Sequence, residues 1–226
     1  MKTLFIILST TLFVSSCAKK NVDVEPSNAP TIEQSSSENS ADKPKEDPPL
    51  IAKDPATKNN SPEVIMDTNF GEIVIKLDAL NAPVTVENFL NYVRSGRFNE
   101  SVVHRSVPNF VIQAGQYVIP AGTTQLSQIA IDGTIANEFN QSNLRGTVAM
   151  AKVAGDPDSA TSQWFINVAD NVSLDSQNDG FTVFGRVLAE GMQVVDAINQ
   201  LPRVALAASL NELPVVNFSG SVTREN

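Results

Sequence analysis

His104-Arg105-Ser106-Val107-Pro108-Asn109-Phe110-Val111-Ile112-Gln113-Ala114-Gly115 reads as a hairpin. Val102 and Val103 open its first arm, Pro108-Asn109 breaks the run, and Phe110 to Gln113 form the second arm. Three side chains within these nine residues carry chemistry. Arg105 offers a rigid fork of N–H donors, Gln113 a donor and an acceptor, and Phe110 an apolar wall. Together they suit a neutral ligand that contains an amide. On their own, an Arg and a Gln on a strand also fit an ordinary solvated face.

Upstream of this stretch, Val64-Ile65-Met66-Asp67 and Glu72-Ile73-Val74-Ile75-Lys76-Leu77 are expected strands, turned at Asn69-Phe70-Gly71. Val86, Phe89, Leu90 and Val93 then recur at helical spacing behind Pro83, which suits an early helix position, and Gly96 ends the run. Downstream, Gln116 to Asn137 is irregular and is expected as one long surface loop. Gly146 to Ala151 is a strand, and Gly155 to Ser162 a solvated loop of turn residues. Asp156 and Asp158 lack the glycine and distant glutamate of a calcium loop, so no metal is expected there. In Gln163-Trp164-Phe165-Ile166-Asn167-Val168 the alternation puts Trp164, Ile166 and Val168 inside, and Gln163 and Phe165 on the other face. Phe181 to Val187 is a further strand. Met192, Val195 and Ile198 mark a second amphipathic helix, and Val215 to Val222 a closing strand. Many short strands with two helices predict an all-β-dominated fold, a closed antiparallel barrel whose ends the helices cover.

Composition removes several function classes. The formal charge is −9, whereas a phosphate-binding surface must be positive, so nucleic acid is not an expected partner. One cysteine excludes an intrachain disulfide, and one histidine leaves neither a zinc cluster nor a serine–histidine triad easy to assemble. His104 could be catalytic, but is expected to be a packed, hydrogen-bonded imidazole inside the barrel.

Residues 1–16 read as a targeting segment. Lys2 gives a positive start, and Leu4 to Val14 is an apolar run shorter than the ~20 residues of a spanning helix. Val14-Ser15-Ser16-Cys17 resembles the bacterial lipoprotein cleavage box. That resemblance implies a lipidated Cys17 as first mature residue, its acyl chains (palmitate) forming a membrane anchor. Ala18, in place of Asp, implies sorting to the outer membrane, facing the periplasm. Residues 17–62 complete a linker: from Ala18 to Pro62 there is no aromatic residue and no glycine, and seven of the thirteen prolines. It buries too little apolar surface to order itself.

The folded part, residues 63–226, resembles the cyclophilins, the cyclosporin-type peptidyl-prolyl isomerases, and in particular their bacterial periplasmic branch. The residues that carry the resemblance are Ala82 to Phe89, His104-Arg105 through Gln113-Ala114-Gly115, Arg145 to Ala151, Asp158 to Asn167, and Val183 to Val187, in the family's order. The resemblance implies an eight-stranded barrel capped by two helices, catalysis without metal or cofactor, and Arg105 as the catalytic arginine, with Phe110 and Gln113 beside it. It implies a proline pocket of Phe110, Val111, Phe165, Leu174 and Phe181. Ala151, Lys152 and Val153 fall where the family's main chain pairs with the peptide, and Gln163 lies beside them. Proline-containing polypeptides are the implied partners, and a monomer the implied state. The chain departs from the family pattern at Val111 for methionine, Ala114 for glycine, Lys152 for asparagine, Phe181 for histidine and Ser173 for a large aromatic. The last change implies weak cyclosporin binding. A non-catalytic peptide-binding or chaperone module and a structural surface lipoprotein are the alternative readings.

Overall fold

In the computed structural model the described residues are 6–9 and 61–220. Cys17, the expected linker up to Asn60 and residues 221–226 lie outside them.

Eight strands form one antiparallel sheet. They are β1 (Ile6–Ser9), β2 (Glu63–Thr68), β3 (Gly71–Leu77), β4 (Arg105–Val107), β5 (Val111–Ala114), β8 (Thr147–Met150), β9 (Trp164–Asn167) and β10 (Val183–Val187), in the order β1-β2-β3-β10-β8-β9-β5-β4. Two minor ladders accompany it: β6 (Tyr117–Val118) with β7 (Ser127–Gln128), and β11 (Arg203–Val204) with β12 (Leu213–Pro214). The helices are α1 (Pro83–Arg94) and α2 (Gly191–Asn199).

The sheet is curled. An apolar cavity is lined by Met66 and Thr68 from β2 and by Ile112 and Gln113 from β5, near the sheet's other end. Among the described residues no ladder joins β4 to β1 or β2. One sequence expectation needs correction: the closing strand expected from Val215 is absent up to residue 220. Val215 is buried, and its N–H donates to Pro202 O at 2.9 Å, but Asn217 adopts φ +50, which bends an extended chain. The eighth strand is instead β1, from the expected targeting segment, paired Ile6 to Met66 through Ser9 to Glu63. The loop expected over 116–137 is interrupted by the two-residue strands β6 and β7. Buried Tyr117, Ile119 and Ile129 anchor that excursion.

Helix α1 buries the expected stripe of Val86, Phe89, Leu90 and Val93. Its start lacks a side-chain cap from Ala82. Glu138 supplies one from a distance, accepting from Val84 N at 3.1 Å and Thr85 N at 2.8 Å. Phe89 meets Phe98, Trp164 and Phe184 at ring separations of 5.4, 6.1 and 5.0 Å, which docks the helix on the inner face of β9 and β10. Helix α2 holds the turn that the hairpin needs. Asn199 donates to Ser106 Oγ at 3.0 Å and Val107 O at 2.9 Å, and accepts from Asn109 N at 3.2 Å. Asn109 takes φ +55 at that turn. Among the described residues no helix is long and apolar enough to cross a membrane.

Candidate active site

Pairing register decides what shares a face. Arg105 lies opposite Gln113, Gln113 opposite Phe165, Phe165 opposite Ala149, and Ala149 opposite Val183. Directly paired residues point to the same side, so these five form one row across five strands. The adjacent row, Ser106, Ile112, Ile166 and Val148, points to the other side and is buried. The sheet therefore carries two apolar layers. The inner one contains Ile112, Ala114, Val148, Trp164, Ile166 and Val168. The outer one contains Val111, Ala149, Phe165, Leu174 and Val183, with Val107, Phe110, Ala151 and Phe181 packed against it. The sequence alternation read from β9 predicts this division.

The outer layer is an apolar wall. Phe165 is 5 % exposed and meets Phe181 edge to face at 5.8 Å and 72°. Leu174 reaches it from a short 3₁₀ turn, Val172–Asp175. Polar groups stand at one edge. Arg105 donates from Nε to Glu212 Oε2 at 3.0 Å and from Nη1 to Gln113 Oε1 at 3.4 Å. Gln113 Nε2 then donates to Gln163 Oε1 at 2.9 Å. The result is one chain of partners, Glu212–Arg105–Gln113–Gln163, along the rim of an apolar surface.

The segment Ala151-Lys152-Val153 borders the wall on the far side. Ala151 N donates to Gln163 O at 2.9 Å, Val153 N to Ser159 Oγ at 2.7 Å, and Val153 O accepts from Asn178 Nδ2 at 3.0 Å. Among the described residues no such bond engages the main-chain N–H and C=O of Lys152. The Lys152 ammonium donates to Asn178 O at 2.7 Å and Gly180 O at 2.5 Å, 5.0 Å from the Phe181 ring. Burial lowers its pKa, against the opposite pull of Asp179 and Asp158. Lys152 and Asn178 thus bind each other's segments reciprocally. Gly180 completes the clasp: it has φ +76, and a Cβ there would meet Phe139 Cγ at 2.3 Å. Ser173 is exposed and closes nothing.

Behind the wall lies a buried polar network that the sequence reading did not identify. Asn167 Nδ2 donates to Thr147 Oγ1 at 2.8 Å and Asn143 Oδ1 at 3.2 Å. Asn171 Nδ2 donates to Asn167 Oδ1 at 2.7 Å and to Phe110 O at 2.9 Å. Asn143 Nδ2 donates to Phe181 O at 3.1 Å and Asp175 Oδ1 at 3.0 Å, and the Ser142 hydroxyl donates to Asp175. Burial pushes the Asp175 carboxyl up, yet its bonds from Ser142 and Asn143 leave the pKa below the ordinary value. The network holds Phe110, Phe181 and the Leu174 turn in one arrangement. The polar Asn167 at the end of an apolar strand was the available signal.

His104 is buried as expected, edge-on to Tyr117 at 5.6 Å, and its Nδ1 has no hydrogen-bond partner. Burial, then the Arg105 charge, hold its pKa down to about 4, against weaker pulls from Gln163 and Val102. It is neutral near pH 7 and is not a proton donor for chemistry there. Between its unfolded value of 6.5 and about 4, the unfolded chain takes up a proton that the native state refuses. Stability is therefore full above pH 6.5 and falls on acidification, by about 1.4 kcal/mol per pH unit and about 3 kcal/mol in all. Urea unfolding at pH 7 and pH 4.5 measures this. His104→Gln should flatten the slope, and an unchanged slope in that variant refutes the account. Asp78 and Asp175, both held below 3.8, lose their contribution only at lower pH.

The family described as cyclophilin type peptidyl-prolyl cis-trans isomerase/CLD matches residues 63–218. Peptidyl-prolyl cis-trans isomerase A of Dickeya dadantii (strain 3937) is 43% identical over 157 residues, 67% of this chain and 79% of the relative. Peptidyl-prolyl cis-trans isomerase B of Escherichia coli (strain K12) is 42% identical over 142 residues, 60% of this chain and 82% of that one. A crystal structure of a Cryptosporidium parvum cyclophilin type peptidyl-prolyl cis-trans isomerase, obtained in the presence of the dipeptide ala-pro, superposes with a TM-score of 0.54 at 21% identity. It covers 68% of this chain and 91% of its own, and shows likeness of fold.

Proposed function

The chain belongs to the cyclophilin-type peptidyl-prolyl cis-trans isomerase family, and from that premise we propose how its own residues turn an X–Pro bond and where they do so. That it is a peptidyl-prolyl cis-trans isomerase rests on the family match and on bacterial relatives at 42% to 45% identity.

Amide resonance sets a rotation barrier of ~18–20 kcal/mol. At the midpoint of rotation the resonance is broken and the proline nitrogen regains a lone pair. Arg105 donates a hydrogen bond to that nitrogen. The planar amide offers no such acceptor, so the bond favours the twisted state alone. Phe110, Val111, Phe165, Leu174 and Phe181 hold the ring in an apolar slot. Twisting weakens the amide dipole, and a dry slot favours the less polar state. Gln113 and the Lys152 main chain hold the flanking peptide, with Ala151, Val153 and Gln163 shaping its track. The row Arg105–Gln113–Phe165 carries this reading, because it sets a fork of donors beside an apolar wall on one face.

The finer reading is an envelope enzyme acting as a monomer on extended, proline-containing chains. The lipoprotein-like box at Cys17 supports a lipid anchor, and the proline-rich linker supports a domain held off the outer membrane on its periplasmic side. Removal of the segment before Cys17 would take β1 away and free the edge of β2, and the curl of the remaining seven strands supports their closure into a barrel in the mature protein.

The test is NMR exchange or a protease-coupled assay on an X–Pro peptide, using the full chain in detergent. Catalysed exchange is expected, and its absence from folded protein refutes the reading. Expressed in a bacterial host, the wild type should incorporate labelled palmitate and sediment with membranes. Cys17→Ser should do neither, and equal labelling of the two refutes the anchor.

A further inference from the structure

We propose that Glu212 is a positioning residue for Arg105, holding the guanidinium at Nε so that its free Nη2 donors face the substrate nitrogen. The inference rests on the reading of Arg105 above and adds a group that neither residue types nor resemblance pointed to.

Three observations carry it. The first is the contact itself. Nε of Arg105 lies 3.0 Å from Glu212 Oε2, across 107 residues of sequence. The second is how the carboxylate is carried. The Glu212 main-chain O accepts from Ser106 N at 2.8 Å, so residue 212 runs beside β4 and next to Arg105 in space. Leu213 is 1 % exposed, and the β11–β12 ladder pins the chain on which Glu212 sits. The third is the geometry of the donors. A guanidinium has five N–H groups in a plane. Glu212 takes the one on Nε, and Gln113 Oε1 takes one on Nη1. Among the described residues Nη2 has no such bond, so the uncommitted donors are the two N–H groups of Nη2, next to the Nε that Glu212 holds.

Two effects of this carboxylate oppose each other. A negative neighbour makes the guanidinium a weaker donor, which slows rotation. The same neighbour removes the rotamer freedom of a long side chain, which favours the aligned state. The Arg105 and Glu212 side chains are 35% and 31% exposed, so water screens the first effect. Alignment is not screened, and small misplacements at a reacting centre are expensive. Glu212 therefore raises the rate, through Arg105 alone.

A double-mutant cycle tests this, on full chains in detergent whose thermal unfolding is checked first. Glu212→Ala should lower kcat by about three- to tenfold with KM nearly unchanged. Glu212→Gln keeps an acceptor for Nε and should recover most of that loss. In the Arg105→Ala background, Glu212→Ala should add nothing further. The Arg105 Nε–H signal in ¹H–¹⁵N spectra should lose its protection from exchange in Glu212→Ala. Equal losses in both backgrounds would mean that Glu212 acts on the fold and not through Arg105. A faster Glu212→Ala enzyme would mean that the carboxylate weakens the donor more than it aligns it. If Arg105→Ala alone left activity intact, the premise would fall and this proposal with it; additivity with an active Arg105 would sink the proposal alone.

Discussion

Arg105→Ala is expected to lower kcat/KM for an X–Pro peptide about a hundredfold, with KM changed by less than about threefold. The size follows from the kind of bond that is lost. Removing one donor aimed at the reacting atom costs on the order of 10²–10³ in rate, or about 2.7–4 kcal/mol. Arg105 belongs at the lower end of that range, because its side chain is 35% exposed and water can replace part of the bond. KM should hardly move, since the planar substrate has no nitrogen lone pair for the guanidinium to meet. The ring contacts of Phe110 and Phe165 and the peptide pairing near Lys152 survive the substitution.

Arg105→Lys sharpens the test. A lysine keeps the positive charge but not the planar fork, so it cannot contact Glu212, Gln113 and substrate in the present geometry. If charge alone drove rotation, Lys would recover most of the rate. The geometric account expects it to stay close to Ala. A folded Arg105→Ala protein with kcat/KM within about threefold of wild type would overturn the mechanism.

Much of this site was legible because it is local. Arg105, Val111 and Gln113 lie on one hairpin, and strand alternation assigns them to one face without any tertiary information, while Phe110 sits in the turn just before β5. The same alternation separated Phe165 from Trp164 and Ile166, and the helical stripe placed Val86, Phe89, Leu90 and Val93 in the core. What was not legible depends on distant chain. Glu212 reaches Arg105 only because residue 212 runs beside β4. Asn143, Asn167 and Asn171 read as loop and strand-end residues until folding brings them against Asp175 and the Phe110 carbonyl. Residues 117–118 and 127–128 pair over two positions, too few for a periodic signal. The run from Val215 has the composition of a strand, but the backbone at Asn217 turns out of it.

Phe89→Ala is expected to cost about 3–5 kcal/mol of folding stability while leaving the pocket able to work. The ring is 1 % exposed and sits between Phe98, Trp164 and Phe184. Those neighbours belong to the segment after α1, to β9 and to β10. Each is held by its own ladder or packing, so they cannot collapse together into the space a phenyl ring leaves. The loss is then transfer free energy plus an unfilled cavity, and it includes the edge-to-face contact with Trp164. For a chain of this length, ~2–4 °C per kcal/mol gives a fall in Tm of roughly 6–20 °C. Activity should part company with stability. Phe89 packs on the inner layer, whereas Phe165 and its partners line the outer one, and the strand backbone between them stays paired. At 25 °C the folded fraction of Phe89→Ala should therefore keep kcat within a few-fold of wild type, while Phe165→Ala should lose activity with a smaller shift in Tm. Guanidinium unfolding and the exchange assay on the same preparations separate the two. A loss under about 1 kcal/mol for Phe89→Ala would mean that the ring is not wedged among its neighbours. A drop in kcat as large as that of Arg105→Ala would mean that the two faces of the sheet are not independent.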